Sequence, residues 1–397
     1  MSDLKIFTDD IEPAALDQIY ALVEQPAFEN CKIRIMPDVH AGAGCVIGFT
    51  ADLGDKVIPN IVGVDIGCGM LTVELGNVDI NFEKLDSVIR NFVPSAKTVN
   101  ESKLTQFQKL NDLYCYNHLW NISRIEYSLG TLGSGNHFIE IDEDSENNKY
   151  LIIHSGSRNL GKQVADYYQK LAIDTMRGKD DLKNAQDAIV KKYKEEGRKN
   201  EIEKALKELH GTFQYKKLNT PKELCYLSGE NREKYLHDMY ICQEYADTNR
   251  KLISQIILNH YGLRSLGNFT TIHNYIEKDS NIVRKGAISA KIGERVLIPI
   301  NMRDGCIIGI GKGNPDWNES APHGAGRRMS RSKAKEEIDI DEFRESMKGI
   351  FTTCVGEQTL DESPMAYKPM EEIINTINDT IEIQKIIKPI YNFKASE

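Results

Sequence analysis

Residues 62–70 read VGVDIGCGM and place one carboxylate, Asp65, three positions before one thiol, Cys68. Three glycines surround these two side chains, and glycine allows positive φ or a close approach of the backbone to a ligand. The apolar run over residues 57–64 is typical of a strand that leads into a tight turn. We therefore predict that this turn directs Asp65 and Cys68 towards one point.

A carboxylate and a thiolate that meet at one point favour a borderline-soft divalent metal, of the manganese or zinc class, over magnesium. The alternative interpretation is a buried cysteine beside a turn-forming aspartate, because free cysteine is usually buried and unreactive. The nine residues by themselves favour this alternative. The histidines elsewhere in the chain shift the preference towards the metal site.

The composition is that of an ordinary globular protein, with 397 residues, 40% hydrophobic and 27% charged. The formal net charge of −9 argues against a protein that binds polyanions with a wholly basic surface, although a local basic patch suffices for phosphate contacts. The eight cysteines include no C-x-x-C pair, and the N-terminus lacks the pattern of a signal peptide. No apolar run is long enough to span a membrane. We expect a cytoplasmic enzyme whose cysteines are thiols or metal ligands.

The pattern along the chain predicts one α+β domain over residues 1–397, with helices around mixed β-sheets and an active site in glycine-rich loops where strands end. Residues 162–262 form a helical, charged sub-region that is typical of structural scaffold. Helices are predicted over about 13–25 and 82–91 and from near Arg327, and strands over 33–36, 138–141, 150–153, 295–300 and 361–368.

Pro37 is expected to end the strand over residues 33–36, which places Asp38 and His40 in a glycine-rich loop. One interpretation of these two side chains is an Asx-turn beside a surface histidine. The other is a pair that supports metal ligands or contacts the substrate. The sequence leaves both interpretations open.

Three histidines share one local pattern, at the edge of an apolar strand beside Gly, Ser or Asn: His137, His154 and His273. Together with Asp65 and Cys68 they make five candidate ligands of the types that bind transition metals. Two metal ions that share a bridging thiolate, each with imidazoles and one with a carboxylate, would use all five. These residues support a binuclear metal site that acts in phosphate chemistry.

A second element follows near residue 323. His323 lies in a Pro-His-Gly turn, and five cations come after it, at Arg327, Arg328, Arg331, Lys333 and Lys335. A basic helix start beside a glycine loop is a favourable phosphate site. His323 alone is equally consistent with an ordinary loop histidine.

Seven segments carry a resemblance to a known family: MPDVH (36–40), VGVDIGCGM (62–70), GTLGSGNHFIE (130–140), HSGSR (154–158), HNY (273–275), RKGA (284–287) and HGAGRRMSR (323–331). They resemble motifs of the RtcB family of GTP-dependent RNA ligases, in the same order across almost the whole chain. The resemblance implies an enzyme that joins RNA ends carrying a 2′,3′-cyclic phosphate or 3′-phosphate to 5′-hydroxyl ends. It also implies the use of GTP and manganese, in RNA repair or tRNA processing.

The resemblance implies roles for individual residues. It assigns Asp65 and His137 to one of two manganese ions, His154 and His273 to the other, and Cys68 to both as a bridge. His323 would be the nucleophile that takes GMP as a phosphoramidate. The positions that match the family's nucleotide site are Asn136, Glu140, Asn301, Cys306, Tyr367 and Lys394. The partners implied are RNA ends, GTP and an activating protein of the archease type.

Several positions depart from the family pattern. Ala43 stands where the family usually has a lysine, and Asn301 and Cys306 stand where it has serines that touch the nucleotide. The chain ends KASE, whereas the family usually ends with lysine and glycine. These departures indicate a divergent branch, and they leave nucleotide affinity, guanine selectivity and the RNA substrate open.

Two other functions fit part of the same pattern. A binuclear-metal phosphoesterase that trims RNA ends needs no histidine that carries a nucleotide, so His323 favours the ligase. A catalytically silent RNA-binding protein needs no set of five metal ligands. We therefore predict an RNA ligase.

Overall fold

The computed structural model describes residues 2–395, so the last two residues of the KASE ending lie outside the described residues. The strands are β1 (Asp3–Ile6), β2 (Lys32–His40), β3 (Ile47–Asp52), β4 (Lys56–Val57), β5 (Gly69–Gly76), β6 (Phe138–Glu143), β7 (Lys149–Ser155), β8 (Leu227–Ser228), β9 (Gly267–Ile272), β10 (Asn274–Ile276), β11 (Ile282–Lys285), β12 (Ala287–Ser289), β13 (Arg295–Asn301), β14 (Gly305–Gly311), β15 (Ser320–Pro322), β16 (Phe351–Thr352) and β17 (Ile381–Lys394). The helices are α1 (Pro13–Val23), α2 (Phe82–Phe92), α3 (Ile122–Tyr127), α4 (Arg158–Met176), α5 (Lys179–Glu195), α6 (Ile202–Thr212), α7 (Gly229–Tyr261), α8 (Arg331–Glu337), α9 (Ile340–Ser346) and α10 (Met370–Ile377).

The larger sheet has the strand order β13-β14-β17-β6-β7-β5-β9, and every neighbouring pair in that order is antiparallel. β16 pairs with β17 in parallel. β13 and β9, the first and last strands of this order, are in contact. The backbone N–H of Leu297 on β13 donates to the hydroxyl of Thr271 on β9 at 3.2 Å. The sheet is therefore curled and nearly closed, with an inner and an outer face.

Alternation along the strands assigns side chains to these two faces. On β6, Ile139 and Ile141 belong to an outer core that includes residues of α2 and α7. Phe138 belongs to an inner core with residues of β5, β7, β13, β14 and β17. Glu140 and Asp142 share the inner face with Phe138, because they lie two and four positions after it. Two acidic side chains are thus placed inside the curled sheet.

The smaller sheet has the order β1-β2-β3-β11-β10, with β1 and β2 parallel and the other pairs antiparallel. A separate ribbon joins β12 to β15 in antiparallel pairing. Asp38 lies on β2, and His323 follows β15 directly. The smaller sheet and the ribbon therefore bring Asp38 and His323, which are 285 positions apart in the chain, into contact.

The predicted α+β architecture is confirmed, and residues 162–262 are helical as expected, with α4, α5, α6 and α7. α7 is 33 residues long, and Tyr235, Met239, Cys242 and Ile253 lie on its buried side. It ends at Gly262, which adopts φ of 93° in a left-handed cap.

The prediction of a strand over residues 57–64 is wrong. Only Lys56–Val57 is a strand, and a 3-10 turn follows over Pro59–Ile61. Pro59 has no backbone N–H, and it occupies the first turn position, where none is needed. The strand that belongs to the motif comes after it, at Gly69.

Pro37 does not end its strand, contrary to the prediction. β2 continues to His40, with a change of register between Ile35 and His40 relative to β3. Such an irregularity accommodates a residue without a backbone N–H in a strand. Asp38 and His40 therefore lie on β2 and not in a loop.

Two further predictions near the C-terminus are corrected. The helix expected near Arg327 begins at Arg331, because the hydroxyl of Ser330 caps it by accepting from the backbone N–H of Lys333. Residues 361–368 form parts of two 3-10 turns and not a strand. The sequence pattern did not predict β17. This strand lies between β14 and β6 and pairs with both, so it depends on residues that are distant in sequence.

No helix among residues 2–395 is long and apolar enough to cross a membrane. The cysteines in the described part of the chain are free thiols. Seven of them are buried.

Candidate active site

The order of strands β6, β7, β5 and β9 explains why the predicted ligands meet. Met70 on β5 pairs with His154 at the end of β7, and Cys68 comes just before β5. β9, on the other side of β5, ends one residue before His273. β6 begins one residue after His137 and pairs with β7. Because these strands are antiparallel neighbours, all four side chains reach the same edge of the sheet.

The donor atoms of the five candidate ligands are close together. Cys68 Sγ lies 3.5 Å from His137 Nε2 and 3.3 Å from His154 Nε2. His154 Nε2 is 3.2 Å from His273 Nε2, and His137 Nε2 is 2.9 Å from Asp65 Oδ2. The cysteine and the three histidines are buried. The structure thus brings together all five residues that the sequence singled out.

Hydrogen bonds on the far side of each ring determine which nitrogen faces the cluster. Nδ1 of His137 lies 2.9 Å from the carbonyl of Leu132, and Nδ1 of His154 lies 3.0 Å from the carbonyl of Asn136. A carbonyl only accepts, so Nδ1 of His154 carries the proton, whereas Nδ1 of His137 also lies 3.0 Å from a guanidinium nitrogen of Arg158, which only donates. His273 Nδ1 is placed in the same way, 3.3 Å from the side-chain oxygen of Asn274. The Nε2 atoms of the three rings therefore face the cluster, which is the orientation that metal-binding imidazoles use.

Asp65 adds the carboxylate to this cluster and is partly exposed. Burial raises its pKa, but the hydrogen bond and charge of His137 outweigh burial and hold the pKa of Asp65 well below its usual range. The backbone comes very close to this carboxylate, since a Cβ on Gly156 would lie 2.2 Å from Asp65 Oδ1. Ser157 donates to the same oxygen at 3.4 Å. Asp65 is thus ionised and held in a fixed position.

The protonation of the other ligands suits metal binding. Burial, followed by the charge of neighbouring imidazoles, lowers the pKa of His154 and His273 well below the usual value, so both are neutral. Burial and the charge of Asp65 raise the pKa of the Cys68 thiol. A divalent cation in contact with that thiol would deprotonate it. The residues therefore fit a metal of the manganese or zinc class.

Helix α7 supports this site from the outer face of the sheet. Nη1 of Arg250 donates to the carbonyls of Gly67 and Ser155 at 2.8 and 2.9 Å. The side-chain oxygen of Asn249 accepts from the backbone N–H of Thr131 at 3.2 Å, and its amide nitrogen donates to Ser155 Oγ at 3.0 Å. Three of the loops that carry ligands are thus fastened to one helix. Sequence reasoning missed both residues, because a polar pair in a charged helix gives no local signal.

His323 is held by Asp38. His323 Nδ1 lies 2.6 Å from Asp38 Oδ2, and the backbone N–H of His323 donates to the same oxygen at 3.1 Å. The centre of its ring is 4.8 Å from that of His273, one of the candidate ligands. Asp38 is fully buried. Asp38 is thus buried on β2 in contact with His323, so the interpretation as an Asx-turn does not describe it.

A cleft of about 810 Å³ connects these elements, which is the size of a typical ligand site. Its wall includes His323, three of the candidate metal ligands and five residues that the resemblance assigns to the nucleotide: Asp65, His154, His273, Asn136, Glu140, Asn301, Tyr367 and Lys394. Cys68 and His137 lie behind the wall, next to Asp65 and His154. One cleft thus joins the candidate metal centre to the predicted nucleotide residues.

Glu362 organises one end of the cleft and was missed by the sequence analysis. Its carboxylate accepts from the hydroxyl of Tyr367 at 2.8 Å and pairs with Lys394 at 2.6 Å. Arg327 and Arg331 lie 3.6 and 3.5 Å from its other oxygen. Burial opposes ionisation, but the charges of Lys394 and Arg331 outweigh it and lower the pKa of Glu362. This buried carboxylate therefore holds Tyr367 and Lys394 in position.

The two positions where the family has serines occupy different environments. The side chain of Asn301 folds back on its own turn, since its oxygen accepts from the backbone N–H of Arg303 and Asp304 at 3.0 and 2.9 Å. Its amide nitrogen donates to the carboxylate of Asp304 at 2.8 Å. Cys306 is buried inside the curled sheet, near Asp142, and does not line the cleft.

The basic segment after His323 is largely paired with acidic side chains. Arg331 and Lys335 lie 3.2 and 3.6 Å from the buried carboxylate of Asp361. Arg328 pairs with Glu372, and about half of each of these two side chains is exposed. Arg327 stacks on the ring of Tyr367, 5.0 Å from its centre. The cations are thus held at the rim of the cleft by carboxylates of this chain.

The fold and the site together define an α+β protein with a candidate metal centre in the wall of a nucleotide-sized cleft. A family model described as tRNA-splicing ligase RtcB matches residues 18–127 and 120–395. The chain belongs to the RtcB family.

Similar proteins occur in bacteria, archaea and eukaryotes. The RNA-splicing ligase RtcB of Escherichia coli (strain K12) is 28% identical, over 97% of this chain and 95% of the relative. The tRNA-splicing ligase RtcB of Nanoarchaeum equitans is 27% identical, over 89% of this chain and 85% of the relative. The RNA-splicing ligase RtcB homolog 1 of Entamoeba histolytica is 26% identical, over 87% of this chain and 76% of the relative. The similarity therefore extends over most of each protein.

Proposed function

We propose that this protein is an RNA ligase that joins 2′,3′-cyclic phosphate or 3′-phosphate RNA ends to 5′-hydroxyl ends with GTP and manganese. The observation that carries the proposal is the position of His323. It is held by Asp38 and lies beside His273, in the same cleft as the candidate metal ligands. A nucleophile next to a metal centre is what nucleotidyl transfer requires.

The contact between Asp38 and His323 determines the tautomer of the imidazole. Because Asp38 Oδ2 is 2.6 Å from Nδ1, the proton resides on Nδ1 and the lone pair on Nε2. Nε2 is therefore the nucleophilic atom. When a phosphorus atom bonds to Nε2, the ring acquires positive charge, which the buried carboxylate of Asp38 stabilises.

The proposed reaction has three steps. Nε2 of His323 attacks the α-phosphorus of GTP, the bond to the β-phosphate breaks, and pyrophosphate leaves. An oxygen of the RNA 3′-phosphate then attacks the same phosphorus, the N–P bond breaks, and a 3′-phosphate end capped with GMP forms. The 5′-hydroxyl finally attacks the phosphorus of the 3′-phosphate, loses its proton and displaces GMP. A 2′,3′-cyclic phosphate end must first be hydrolysed to the 3′-phosphate.

The residues that would hold manganese are Asp65, Cys68, His137, His154 and His273. Bound there, manganese would neutralise charge on the phosphates. The other predicted contacts concern the nucleotide. Tyr367 and Lys394 are held by Glu362, and Glu140 lines the same cleft. We propose that these side chains bind the guanine base and that Asn136 contacts the triphosphate or the RNA end.

Incubation of the purified chain with manganese and GTP labelled at the α-phosphate, followed by a denaturing gel, tests the first step. Label is expected on the wild-type chain and absent from His323→Ala. The control variant is His260→Ala, which removes an exposed histidine that stacks on Phe92, and it should take up label normally. The bond should be labile in acid and stable in alkali, as a phosphoramidate is.

A second assay tests the later steps with RNA. His323→Ala should fail to join a 3′-phosphate end but should retain part of its activity on an end already capped with GMP. Label on His323→Ala would contradict the proposal. Removal of 3′-phosphates by a wild-type chain that takes up no label would identify a phosphoesterase instead. Addition of an archease-type protein is expected to increase ligation by the wild-type chain.

A further inference from the structure

A second convergence of metal-binding side chains lies inside the curled sheet. Donor atoms of Glu140, Asp142 and Cys306 are all within 4.8 Å of one another. All three side chains are buried. One other group in the described part of the chain has its donor atoms within the same 4.8 Å, and it consists of Cys68, His137 and His154. The second group therefore has the same compactness and burial as the candidate active-site centre.

Within residues 2–395, the carboxylate of Asp142 has no cation paired with it. Asp142 is fully buried, its carboxylate oxygens accept no hydrogen bond from a nitrogen or oxygen donor, and the Cys306 thiol is its polar neighbour. The charge of Lys394 lowers the pKa of Glu140, but the ammonium of Lys394 forms its ion pair with Glu362, at 2.6 Å. Burying carboxylates without a partner is costly, so two protons or a cation must accompany them.

Asn392 provides a separate indication of a ligand. It lies on β17 directly opposite Glu140 on β6, and its amide nitrogen donates to Glu140 at 2.8 Å. Its side-chain oxygen is buried and has no hydrogen-bond partner. An amide oxygen next to a carboxylate is a metal donor that would otherwise be left unsatisfied. Rotation of this amide by half a turn exchanges its oxygen and nitrogen, and the oxygen then faces Glu140 as a fourth donor, which is the number that a tetrahedral site uses.

We propose that Glu140, Asp142, Cys306 and Asn392 bind one divalent cation of the zinc class, at a site separate from the five-ligand centre. The thiol of Cys306 determines the class, because sulfur ligands select zinc and its softer relatives over magnesium and calcium. The cation would balance the charge of the two buried carboxylates. Glu140 also lines the cleft, so one of its carboxylate oxygens would bind the cation and the other would remain for the guanine base of the proposed function.

Cadmium binding to the metal-stripped, full-length chain tests the site without GTP or RNA. Cadmium replaces zinc at thiolates and gives an ultraviolet charge-transfer band. The Cys68→Ser variant removes the thiol of the five-ligand centre, so any remaining band reports another cysteine. This variant should bind one cadmium ion with a thiolate band. Adding Cys306→Ser should abolish the band, and adding Asp142→Asn should weaken binding by at least about tenfold.

The control is Cys354→Ser on the same background, because Cys354 is a partly exposed free thiol away from this group. It should leave the band unchanged. A Cys68→Ser chain without a thiolate band, or a band that persists in the Cys306→Ser double variant, would overturn the proposal. If Cys306→Ser does not fold, the Asp142→Asn double variant decides with the same readout. Failure here would leave the ligase proposal intact, since GTP labelling is measured separately.

Discussion

Asp38 shows how one buried side chain determines the chemistry of another. Its carboxylate receives both the backbone N–H and the ring nitrogen of His323 through one oxygen. A neutral imidazole is nucleophilic only at the nitrogen without a proton, so the contact selects Nε2. His323 would have no fixed tautomer without Asp38. Asp38 is therefore a positioning residue in the proposed mechanism.

Replacing Asp38 with asparagine tests that role. The side chain keeps its shape, but its NH₂ group can donate to Nδ1 and shift the proton to Nε2. GMP uptake by Asp38→Asn is expected to fall by a factor on the order of 10²–10⁴. The measurement is the rate of label incorporation from GTP, alongside the thermal melting curve. A wild-type rate in a variant that melts normally would contradict the assigned tautomer.

Glu140 is a second residue whose position has a measurable consequence. Burial raises its pKa to about 7, against the hydrogen bond from Asn392 and the charge of Lys394. In the metal-free chain the folded pKa therefore lies above the unfolded value of 4.5. A raised pKa in the folded state contributes stability at low pH, and this contribution is lost as the pH rises through about 7.

The prediction is that the free energy of unfolding of the metal-free chain falls between about pH 5 and pH 8. Glu140 accounts for a part of this fall in unfolding free energy, on the order of 3 kcal/mol. Glu140→Gln removes this titration, so the variant should be stabilised at pH 8 relative to the wild type and show a flatter pH profile. Urea unfolding with a chelator at both pH values measures the difference. The exposed change Glu146→Gln is the control, and an equal flattening there would refute the assignment to Glu140.

At the scale of secondary-structure elements, α7 does more than cover the sheet. Asn249 and Arg250 are adjacent, and the side chains of both form hydrogen bonds with the loops that carry the candidate metal ligands. Those loops contain backbone groups that no strand satisfies, and a buried group without a hydrogen bond is costly. The helix therefore supplies the partners that keep the loops in their ligand-presenting conformation.

Asn249→Leu should show this effect, because leucine has a similar size but forms no hydrogen bonds. The variant is expected to lose about 3 kcal/mol of unfolding free energy. It should also bind manganese more weakly, since the loops of His137 and His154 lose their fixed position. Urea unfolding and equilibrium dialysis measure the two effects. Lys251→Ala, which breaks an exposed pair with Asp247 on the same helix, should change neither by more than a small amount.

At the scale of the whole molecule, an acidic protein has a local group of positive charges. The chain carries a net charge of −9, yet Arg327, Arg328 and Arg331 lie together at the rim of the cleft. Carboxylates of the same chain pair with them, so an RNA phosphate has to compete with these partners. Contact with RNA should therefore be local and confined to a few phosphates.

This arrangement predicts a modest but definite dependence of RNA affinity on salt. If three phosphates are neutralised, the slope of log affinity against log salt is about −2 for a single strand. Arg328→Ala should reduce its magnitude by about 0.7. Arg344→Ala, which removes an exposed cation paired with Asp341, should leave the slope unchanged. A flat dependence in the wild-type chain would contradict the assignment of RNA contact to this rim.

Much of the candidate site could be predicted from the sequence. Asp65, Cys68 and the three histidines are recognisable because metal ligands are few in type and stand beside glycine turns and strand edges. The α+β class and the helical sub-region follow from periodicity, which is a local property. The membership in the RtcB family follows from the order of long motifs. Each of these signals is read within one segment of the chain, from residues that are close together in sequence.

The rest was decided by tertiary structure. Asp38 meets His323, Asn249 meets the loop of Thr131, and Glu362 meets Lys394 across wide separations in sequence. β17 exists because its neighbours pair with it, and Pro37 is tolerated because β2 changes register there. Cys306 lies inside the curled sheet beside Asp142, where alternation and strand order put it. The sequence by itself thus determined the chemical groups, whereas strand pairing and packing determined which of them meet, because such contacts depend on the whole chain.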